Sequence, residues 1–464
     1  MQIPILSGIY ADNAANLRTS YPVNLEPVAM QSGLSAGQLR PTMGMVQAAT
    51  GQGADRGSIS WRGVCYRVSG TKLVRINAAW GVTVIGDVGG SGPVTMDYSF
   101  DRLAIASNEK LFYYDGNALT EVTDPDMGTV LDVVWIDGYF ITTDGEFLVQ
   151  TELNNPEAVD PFKYGSSEID PDPVVRVLKL RGELIAVNTN TIEFFANIGG
   201  AGFAFQRVEG AQIQKGAVGT HAACIFSDAV AFVGSGRNEP PGVHLGANGG
   251  SQKISTVEID RILAGYTTDQ LSEVEIESFE NAGRLHLRVH LPDRTLVFDA
   301  TTTRAVGEPV WFTLTSAQDG FEQYLARHPV WCFDRWIVGD PSSTKIGYLT
   351  ESVSTHWGEV VRWEFGTLIA YNEGAGAVVQ RLELVAMTGN VQTNALVAMQ
   401  YSSDGETWSA LRPIASGAVG ERAKRLVWLR CGFMRQWRIH RFHGDSRAHI
   451  SIARLDAQFE ALVY

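Results

Sequence analysis

The residues that come nearest to site chemistry are two histidines in the run RLHLRVHL (284–291). His286 and His290 are four residues apart, so a β-strand would place both side chains on one face, as a pair of imidazole metal ligands requires. The leucine and valine side chains fall on the opposite face, and no Asp or Glu alternates with the histidines. We therefore interpret the face that also carries Arg284 and Arg288 as a solvated strand surface, with a metal pair as the alternative.

A basic stretch near the C-terminus, RQWRIHRFHGDSRAH (435–449), interleaves arginines with Trp437 and Phe442. Guanidinium and aromatic groups on one strand suit a contact with nucleic acid, and an arginine fork also suits an acidic protein partner. The third interpretation is a solvated strand face, because arginine and histidine alternate with Ile439 as in an ordinary strand. The candidate interface residues are Arg435, Arg438, Arg441 and Arg447.

Nucleophile and metal patterns are missing from the sequence. The four cysteines (Cys65, Cys224, Cys332 and Cys431) are single residues 159, 108 and 99 positions apart, each in an apolar run. This spacing is typical of buried thiols rather than of a zinc site or a disulfide framework. No Gly-x-Ser-x-Gly, Walker or His-Glu-x-x-His motif occurs. The sequence predicts no catalytic residue, no metal, no cofactor and therefore no enzyme.

One turn invites an enzymatic interpretation. The segment YSSDGETWS (401–409) is similar to the Ser-x-Asp-x-Gly-x-Thr-Trp turn that sialidase-type propellers repeat, but it lacks one spacer and occurs once. A glycosidase would also need two converging carboxylates or an arginine cluster with a tyrosine nucleophile. We expect a structural hairpin in which Asp404 and Gly405 form the turn and Trp408 packs beneath it.

Composition shows which elements must carry these residues. The chain has 464 residues, of which 45% are apolar, 19% are charged and 48 are glycine, which is typical of a globular protein rich in strands and tight turns. The net charge of −14 and the lack of a long Lys/Arg run argue against strong non-specific binding to duplex DNA. The N-terminus MQIPILSGIY has no signal-peptide pattern and no long apolar run follows, so we expect synthesis in the cytosol and no membrane insertion.

Strand hairpins repeat along most of the chain. Their spacing is close to the period of roughly 40 to 50 residues that is typical of propeller blades, which repeat because one blade cannot bury both faces without neighbours. An array of sandwiches would space its strands more closely, without the longer period. The sequence thus predicts an all-β fold with a β-propeller of seven blades, or six as the alternative. The seven hairpins begin at residues 61, 101, 136, 180, 227, 281 and 328.

Other segments complete the expected domain organisation. We predict an extended N-terminal segment (1–55) that packs on or closes the propeller (56–350), which contains a short helical insertion near 255–277. The proline-rich segment 154–175 should be an ordered loop. The C-terminal residues 351–464 lose the period and predict an antiparallel β-sandwich. The charge balance also differs between the two domains. Residues 1–350 contain 25 basic and 40 acidic residues, whereas residues 351–464 contain 12 basic and 11 acidic residues.

Several motifs in one order resemble the packaged-DNA stabilisation proteins of short-tailed, podovirus-like bacteriophages, which are the tail hub or nozzle components. The most specific are IGDVGGSGPVTM (85–96) and IQKGAVGTHA (213–222), and the second contains Gln214, Lys215, Gly216 and Gly219. None is an active-site motif. The others are YPVNLEP, SAGQLRPTMG, YRVSGTKLVRI, NTIEFFA and TVEIDRILAGYTTDQL.

The resemblance implies a structural virion protein. It would form a ring of identical subunits, six by expectation, below the portal and its adaptor, and would close or extend the DNA channel and stabilise the packaged DNA. The implied partners are further copies of the chain, tail adaptor and portal proteins, and tail needle, plug or fibre proteins. Genomic DNA would pass without sequence-specific binding. Two alternatives stay open, namely a receptor-binding or polysaccharide-degrading tail component and a propeller scaffold for protein binding.

Overall fold

The computed structural model describes residues 2–3, 10–12, 17–29, 35–153, 155–372, 375–389 and 395–462. Across these ranges the chain forms seven antiparallel sheets in a ring, followed by a two-sheet sandwich. Each predicted hairpin supplies neighbouring strands of one ring sheet, so the prediction of a seven-bladed propeller followed by a sandwich is confirmed. Among the described helices, none has the length and apolar character that a membrane crossing requires.

The blades are numbered in chain order, with strands given from the inside outwards. Blade 1 consists of Asp55–Trp61, Val64–Ser69, Lys72–Ile76 and Val82–Asp87. Blade 2 consists of Thr95–Tyr98, Leu103–Ser107, Lys110–Tyr114 and Leu119–Glu121. Blade 3 consists of Asp132–Ile136, Tyr139–Thr143, Phe147–Glu152 and Asn155–Val159, and Gly165–Ser166 also pairs with its third strand. Blades 4 and 5 consist of Val174–Leu180, Glu183–Asn188, Ile192–Asn197 and Phe205–Arg207; and Gly216–Ala217 with Ala223–Phe226, Ala229–Ser235, Gly242–Ala247 and Gly250–Lys253. Blade 6 consists of Glu275–Asn281, Arg284–His290, Thr295–Asp299 and Trp311–Leu314.

Blade 7 closes the ring with strands from two distant parts of the chain. Arg327–Cys332, Arg335–Gly339 and Lys345–Thr350 are its inner strands, and Gly44–Thr50 pairs antiparallel with Lys345–Thr350 as the outermost strand. Closure by an N-terminal strand leaves no blade without its neighbours.

Short helices occupy the connections. Val257–Leu263 and Thr268–Ser272 lie between blades 5 and 6, and the second begins with a capping box formed by Thr267 and Gln270. Ala300–Val306 lies within blade 6, where Asp299 caps its start and Gly307, at a φ of 88°, ends it. The 3₁₀ turns are Pro125–Met127 and Pro161–Lys163. The proline-rich segment 154–175 is therefore not one loop, because from residue 155 onwards it includes a blade strand and a 3₁₀ turn.

The sandwich has two antiparallel sheets. One runs in the order Leu25–Ala29, Gly37–Pro41, Ser451–Ala461, Ala377–Met387 and Leu426–Leu429, with Gln2–Ile3 and Phe433–Met434 added at its sides. The other runs in the order Arg362–Gly366, Trp437–Asp445, Leu396–Ser402 and Arg412–Ala415, with Ala370–Tyr371 beside Trp437–Asp445. A separate hairpin joins Tyr10–Asp12 to Leu17–Ser20. Phe442 stacks on Phe365 and meets Trp428 edge-on between the sheets.

The N-terminal segment thus serves both domains. The sequence predicted that residues 1–55 pack on or close the propeller, and Gly44–Thr50 closes it. However, Leu25–Ala29 and Gly37–Pro41 are strands of the sandwich sheet. The second of them pairs with Ser451–Ala461, near the opposite end of the chain. Pairing between strands so far apart leaves no local pattern in the sequence.

Candidate interface surfaces and the joint between the domains

The four arginines of the basic stretch 435–449 lie in different environments. Arg438 is 1% exposed, and its guanidinium lies 3.3 Å above the ring of Tyr401 and donates to the Cys431 carbonyl. Burial lowers the pKa of Arg438 to about 10. The prediction that Arg438 is an interface residue is therefore wrong. Arg438 lies on the same strand face as His440 and Phe442, and this face is buried in the sandwich.

The other three arginines of this stretch reach the surface to different degrees. Arg441 is half-buried, donates to Gln400 Oε1 at 2.7 and 2.9 Å, and stacks 4.1 Å above Trp408. Arg447 is exposed and pairs with Asp445 at 2.6 Å. Arg435 is exposed in the turn that precedes Trp437, two residues after Phe433, which is 55% exposed. An exposed arginine beside an exposed aromatic ring is a combination enriched at protein interfaces.

The motif Gln214–Gly219 proves to be a close-packing element. A Cβ atom added at Gly216 would lie 2.1 Å from the Asn188 carbonyl oxygen, and one added at Gly219 would lie 2.1 Å from that of Ser272. These glycines let the first strand of blade 5 approach blade 4 and the helical insertion. Lys215 pairs with Glu239, and Gln214 is exposed. The motif therefore fixes the packing between blades.

The turn at 401–409 is a structural hairpin. Asp404 accepts hydrogen bonds from the Glu406 and Thr407 amides and from the Thr407 hydroxyl, and Gly405 has a φ of 81°. These bonds hold the pKa of the Asp404 carboxyl well below its usual range. Trp408 supports Arg441, as described above. The side chains of Asp404 and Thr407, which give this turn its similarity to the sialidase turn, thus hold the hairpin together.

The histidine face of blade 6 is buried, contrary to the solvated surface predicted from its alternation. Arg284, His286, Arg288 and His290 are all buried side chains. His290 contacts Thr295 at 2.8 Å and Glu277 at 3.0 Å, and burial lowers its pKa to about 4. In a propeller both faces of a blade are covered by its neighbours, so an alternating pattern does not mark a wet face.

A buried ion-pair cluster joins the propeller to the sandwich. Glu26, on a sandwich strand, contacts Arg284 and lies 3.0 Å from His286 Nε2, both on blade 6. Arg40, on the neighbouring sandwich strand, donates to Glu26 at 2.7 Å. Although burial alone would raise it, these cations lower the pKa of Glu26 to about 2. Arg284 also contacts Asp299, so the cluster is compensated on both sides.

Asn24 adds a neutral link to this joint. Its side-chain amide donates to the carbonyls of Thr315 at 2.8 Å and Arg362 at 2.7 Å, and its oxygen accepts from the Thr315 amide at 3.0 Å. Thr315 follows the outer strand of blade 6, whereas Arg362 begins a sandwich strand. One buried amide therefore satisfies backbone groups of both domains. We call Asn24, Glu26, Arg40, Arg284, His286 and Asp299 the interdomain joint.

Among the residues that the structure describes, two groups of histidine and carboxylate side chains lie close enough to hold a metal ion. The first consists of Glu26, His286 and Asp299, and the second consists of Glu275, Glu277 and His328. In the first, the Arg284 guanidinium already contacts both carboxylates. In the second, burial opposes a charged imidazole, but Asp55 and Glu275 outweigh it and raise the pKa of His328 to about 10. Both ring nitrogens of His328 are already used by these carboxylates, since Nδ1 lies 2.7 Å from Asp55 and Nε2 lies 3.0 Å from Glu275. Both groups are better described as ion-pair clusters.

A cavity of about 380 Å³ lies along the axis of the propeller. It is lined by the innermost strands of all seven blades, including Asp97, Asp132, Lys179 and Glu277. Its volume is that of a small-molecule pocket. A DNA duplex cannot pass through it.

The geometry can be compared with known proteins. Residues 1–354 match the family model described as the β-propeller of bacteriophage P22 Gp10, and residues 362–460 match the model of its β-sandwich. The chain belongs to this family. Its two domains follow in the family's order, and the matches together cover nearly the whole chain.

One curated relative is the tail hub protein gp10 of Salmonella phage P22, which is 25% identical over 459 residues, spanning 94% of each chain. Among solved structures, the Pan2 WD40 domain of Neurospora crassa is 9% identical, with a TM-score of 0.44 over 69% of this chain and 97% of that one. PorZ of Porphyromonas gingivalis is 10% identical, with a TM-score of 0.41 over 81% of this chain and 46% of that one.

Sequence reasoning missed the interdomain joint. Its members come from residues 24–40 and 284–299, and no local pattern links the first group to the second. The sequence did contain one usable signal, which is the high density of charged residues in RLHLRVHL. This run forms the second strand of blade 6, whereas the second strand of blade 2, Leu103–Ser107, has only apolar or small residues. Charged residues at a buried position of the repeat indicate a partner from elsewhere in the chain.

Proposed function

We propose that this chain is a structural tail hub protein of a short-tailed phage and acts without catalysis in the virion. The observation that supports this is the match of both domains, in order, to the P22 Gp10 family, together with a relative named as a tail hub protein over 94% of each chain. Synthesis takes place in the host cytoplasm. The enzymatic and scaffold alternatives have no comparable support.

The hub acts as a ring of identical subunits, with six as the expected number, beneath the portal and its adaptor. The axial cavity of the propeller is too small for duplex DNA. The DNA channel is therefore enclosed between subunits, and each propeller forms part of its wall. An acidic body with a net charge of −14 suits a wall past which DNA must slide, because it offers few counter-charges to the phosphates.

A hub must also keep its two domains in fixed orientation while it contacts different partners. The interdomain joint does this through buried ion pairs and the amide of Asn24. Contacts to ring neighbours, to adaptor and portal proteins, and to needle, plug or fibre proteins then use the surface. Two candidate patches are Arg435 with Phe433, and the outer edge of blade 3, where Phe162 is 92% exposed.

Cryo-electron microscopy of intact virions tests this function. The propeller and sandwich should fit the tail density as a closed ring around the channel, between the portal side and the distal tail parts. Particles grown without the chain should package DNA and then lose it. A chain located only at fibre tips, or DNA retained in its absence, would contradict the proposal.

A further inference from the structure

Arg288 is a buried cation without a counter-charge. It lies on the second strand of blade 6, is 4% exposed, and forms no ion pair or hydrogen bond with any part of the chain that the structure describes. Its Nε and Nη1 atoms are buried and unpartnered. A buried guanidinium is unfavourable unless something compensates its charge and saturates its N–H groups.

The nearest candidate for a counter-charge is already in use. Glu277 stands directly opposite Arg288 in the strand register. However, its Oε1 accepts from the His328 amide at 2.6 Å, and its Oε2 lies 3.0 Å from His290 Nε2. No oxygen of Glu277 comes within ion-pair distance of Arg288. The rings of Phe279 at 3.7 Å and Tyr324 at 5.8 Å offer cation–π contacts but no acceptor for the N–H groups.

A small cavity adjoins this guanidinium. It has a volume of about 30 Å³ and is lined by residues of blade 6, by Tyr324 and by the N-terminal residues Glu26, Arg40 and Thr42. A single water needs a cavity of about 10 to 15 Å³, so this cavity holds one or two waters or one small ion. Glu26, the carboxylate in the lining, is contacted by Arg40, Arg284 and His286. The uncompensated charge facing the cavity is thus the positive one of Arg288.

We propose that this cavity binds one small monovalent anion of the halide class, chloride in the first instance, beside the guanidinium of Arg288. A volume of about 30 Å³ suits a halide better than the larger sulfate and phosphate groups, including those of DNA. The bound anion neutralises Arg288 where blade 6, blade 7 and the N-terminal strand Gly37–Pro41 meet. Chloride is therefore a stabilising ligand of the region beside the interdomain joint.

The test measures thermal unfolding of the full chain while chloride replaces gluconate at constant ionic strength. Because only the folded state has the site, the melting temperature should rise with chloride by several degrees. Arg288→Met keeps an unbranched apolar stem over Phe279 and should lose this dependence. Arg294→Met is the matched control, because Arg294 also stacks on a ring, Phe321 at 4.1 Å, but already has Asp293 as its partner at 2.6 Å. Its chloride dependence should equal that of the wild type.

Crystals of the wild-type chain grown in bromide give a second measurement that needs no variant. An anomalous peak within contact distance of the Arg288 guanidinium is expected. A cavity that contains only water at high bromide would overturn the proposal, and so would an Arg288→Met protein with the chloride dependence of the wild type. If Arg288→Met does not fold, Arg288→Lys replaces it, with a weaker dependence expected because lysine lacks the planar fork.

Discussion

Largely buried charged residues line the seams on either side of blade 7. Asp55 of blade 1 accepts two hydrogen bonds from Arg67 and contacts His328 Nδ1 of blade 7, all at 2.7 Å. On the other side, His328 Nε2 lies 3.0 Å from Glu275 of blade 6. Buried ion pairs contribute little net stability over apolar packing, but a misplaced partner is costly. These pairs therefore fix the position of the blade that is assembled from two ends of the propeller sequence.

The first prediction concerns Glu26 in the interdomain joint. Glu26→Gln removes the counter-charge of Arg40, Arg284 and His286 while keeping the side-chain shape. Because Glu26 is 4% exposed, we expect the free energy of unfolding in urea to fall by about 3 kcal/mol. Glu121→Gln, which breaks the exposed pair with Lys110, is the control and should cost less than about 1 kcal/mol. Equal effects would show that the joint carries no special energetic weight.

The second prediction is a pH dependence due to His328. Its pKa is about 10 in the folded chain and 6.5 in a free imidazole, so folding binds its proton more tightly. The resulting stabilisation is fully present below about pH 6.5 and is lost as the pH rises through about 10. The difference in unfolding free energy between wild type and His328→Asn should shrink by more than about 1 kcal/mol across that window. Urea titrations at several pH values measure it, and a constant difference would contradict the assignment.

At the scale of single elements, the sequence of each blade predicts its strands and turns but not which of its faces are buried. The repeated hairpins predicted the ring, and the loss of their period after residue 350 predicted the sandwich, because strand period and turn residues are local properties. The exposure of each face was not predictable in the same way. RLHLRVHL alternates as a half-wet strand would, and the strand Trp437–Asp445 alternates similarly, yet Arg284, His286 and Arg438 are buried. What covers a face is decided by segments distant along the chain, such as the strand that carries Glu26.

The third prediction tests the glycines between blades. Gly216→Ala would place a methyl group 2.1 Å from a backbone oxygen of blade 4, which cannot move without shifting the blade. We expect a loss of about 1 to 3 kcal/mol in the free energy of unfolding. Gly202→Ala is the control, because nothing lies within 4 Å of its added Cβ. It should change stability by less than about 0.5 kcal/mol. Indistinguishable denaturation midpoints for the two variants would rule out the packing role of the motif.

At the scale of the whole molecule, the N-terminal segment connects everything else. It adds strands to the sandwich sheet, supplies Asn24 and Glu26 to the joint, and then closes the propeller with Gly44–Thr50. Both domains therefore depend on one short segment of the chain. In the proposed ring, either domain can then contact a neighbouring subunit without a change in the relative orientation of the two domains.

The last prediction separates folding from assembly by means of arginines in the basic stretch 435–449. Arg438 is buried against Tyr401, so Arg438→Glu should destabilise the sandwich and lower the melting temperature of the purified chain. Arg435 is exposed beside Phe433, so Arg435→Glu should leave the melting temperature unchanged. If this patch binds an acidic neighbour, the reversed charge adds repulsion to the lost contact, and virions should lose DNA or lack distal tail parts. Arg447→Glu is the matched control, because Arg447 is already paired with Asp445, and it should assemble normally. Complete, DNA-filled particles with Arg435→Glu would show that this patch is a solvated surface, while the hub function would still stand on its own test.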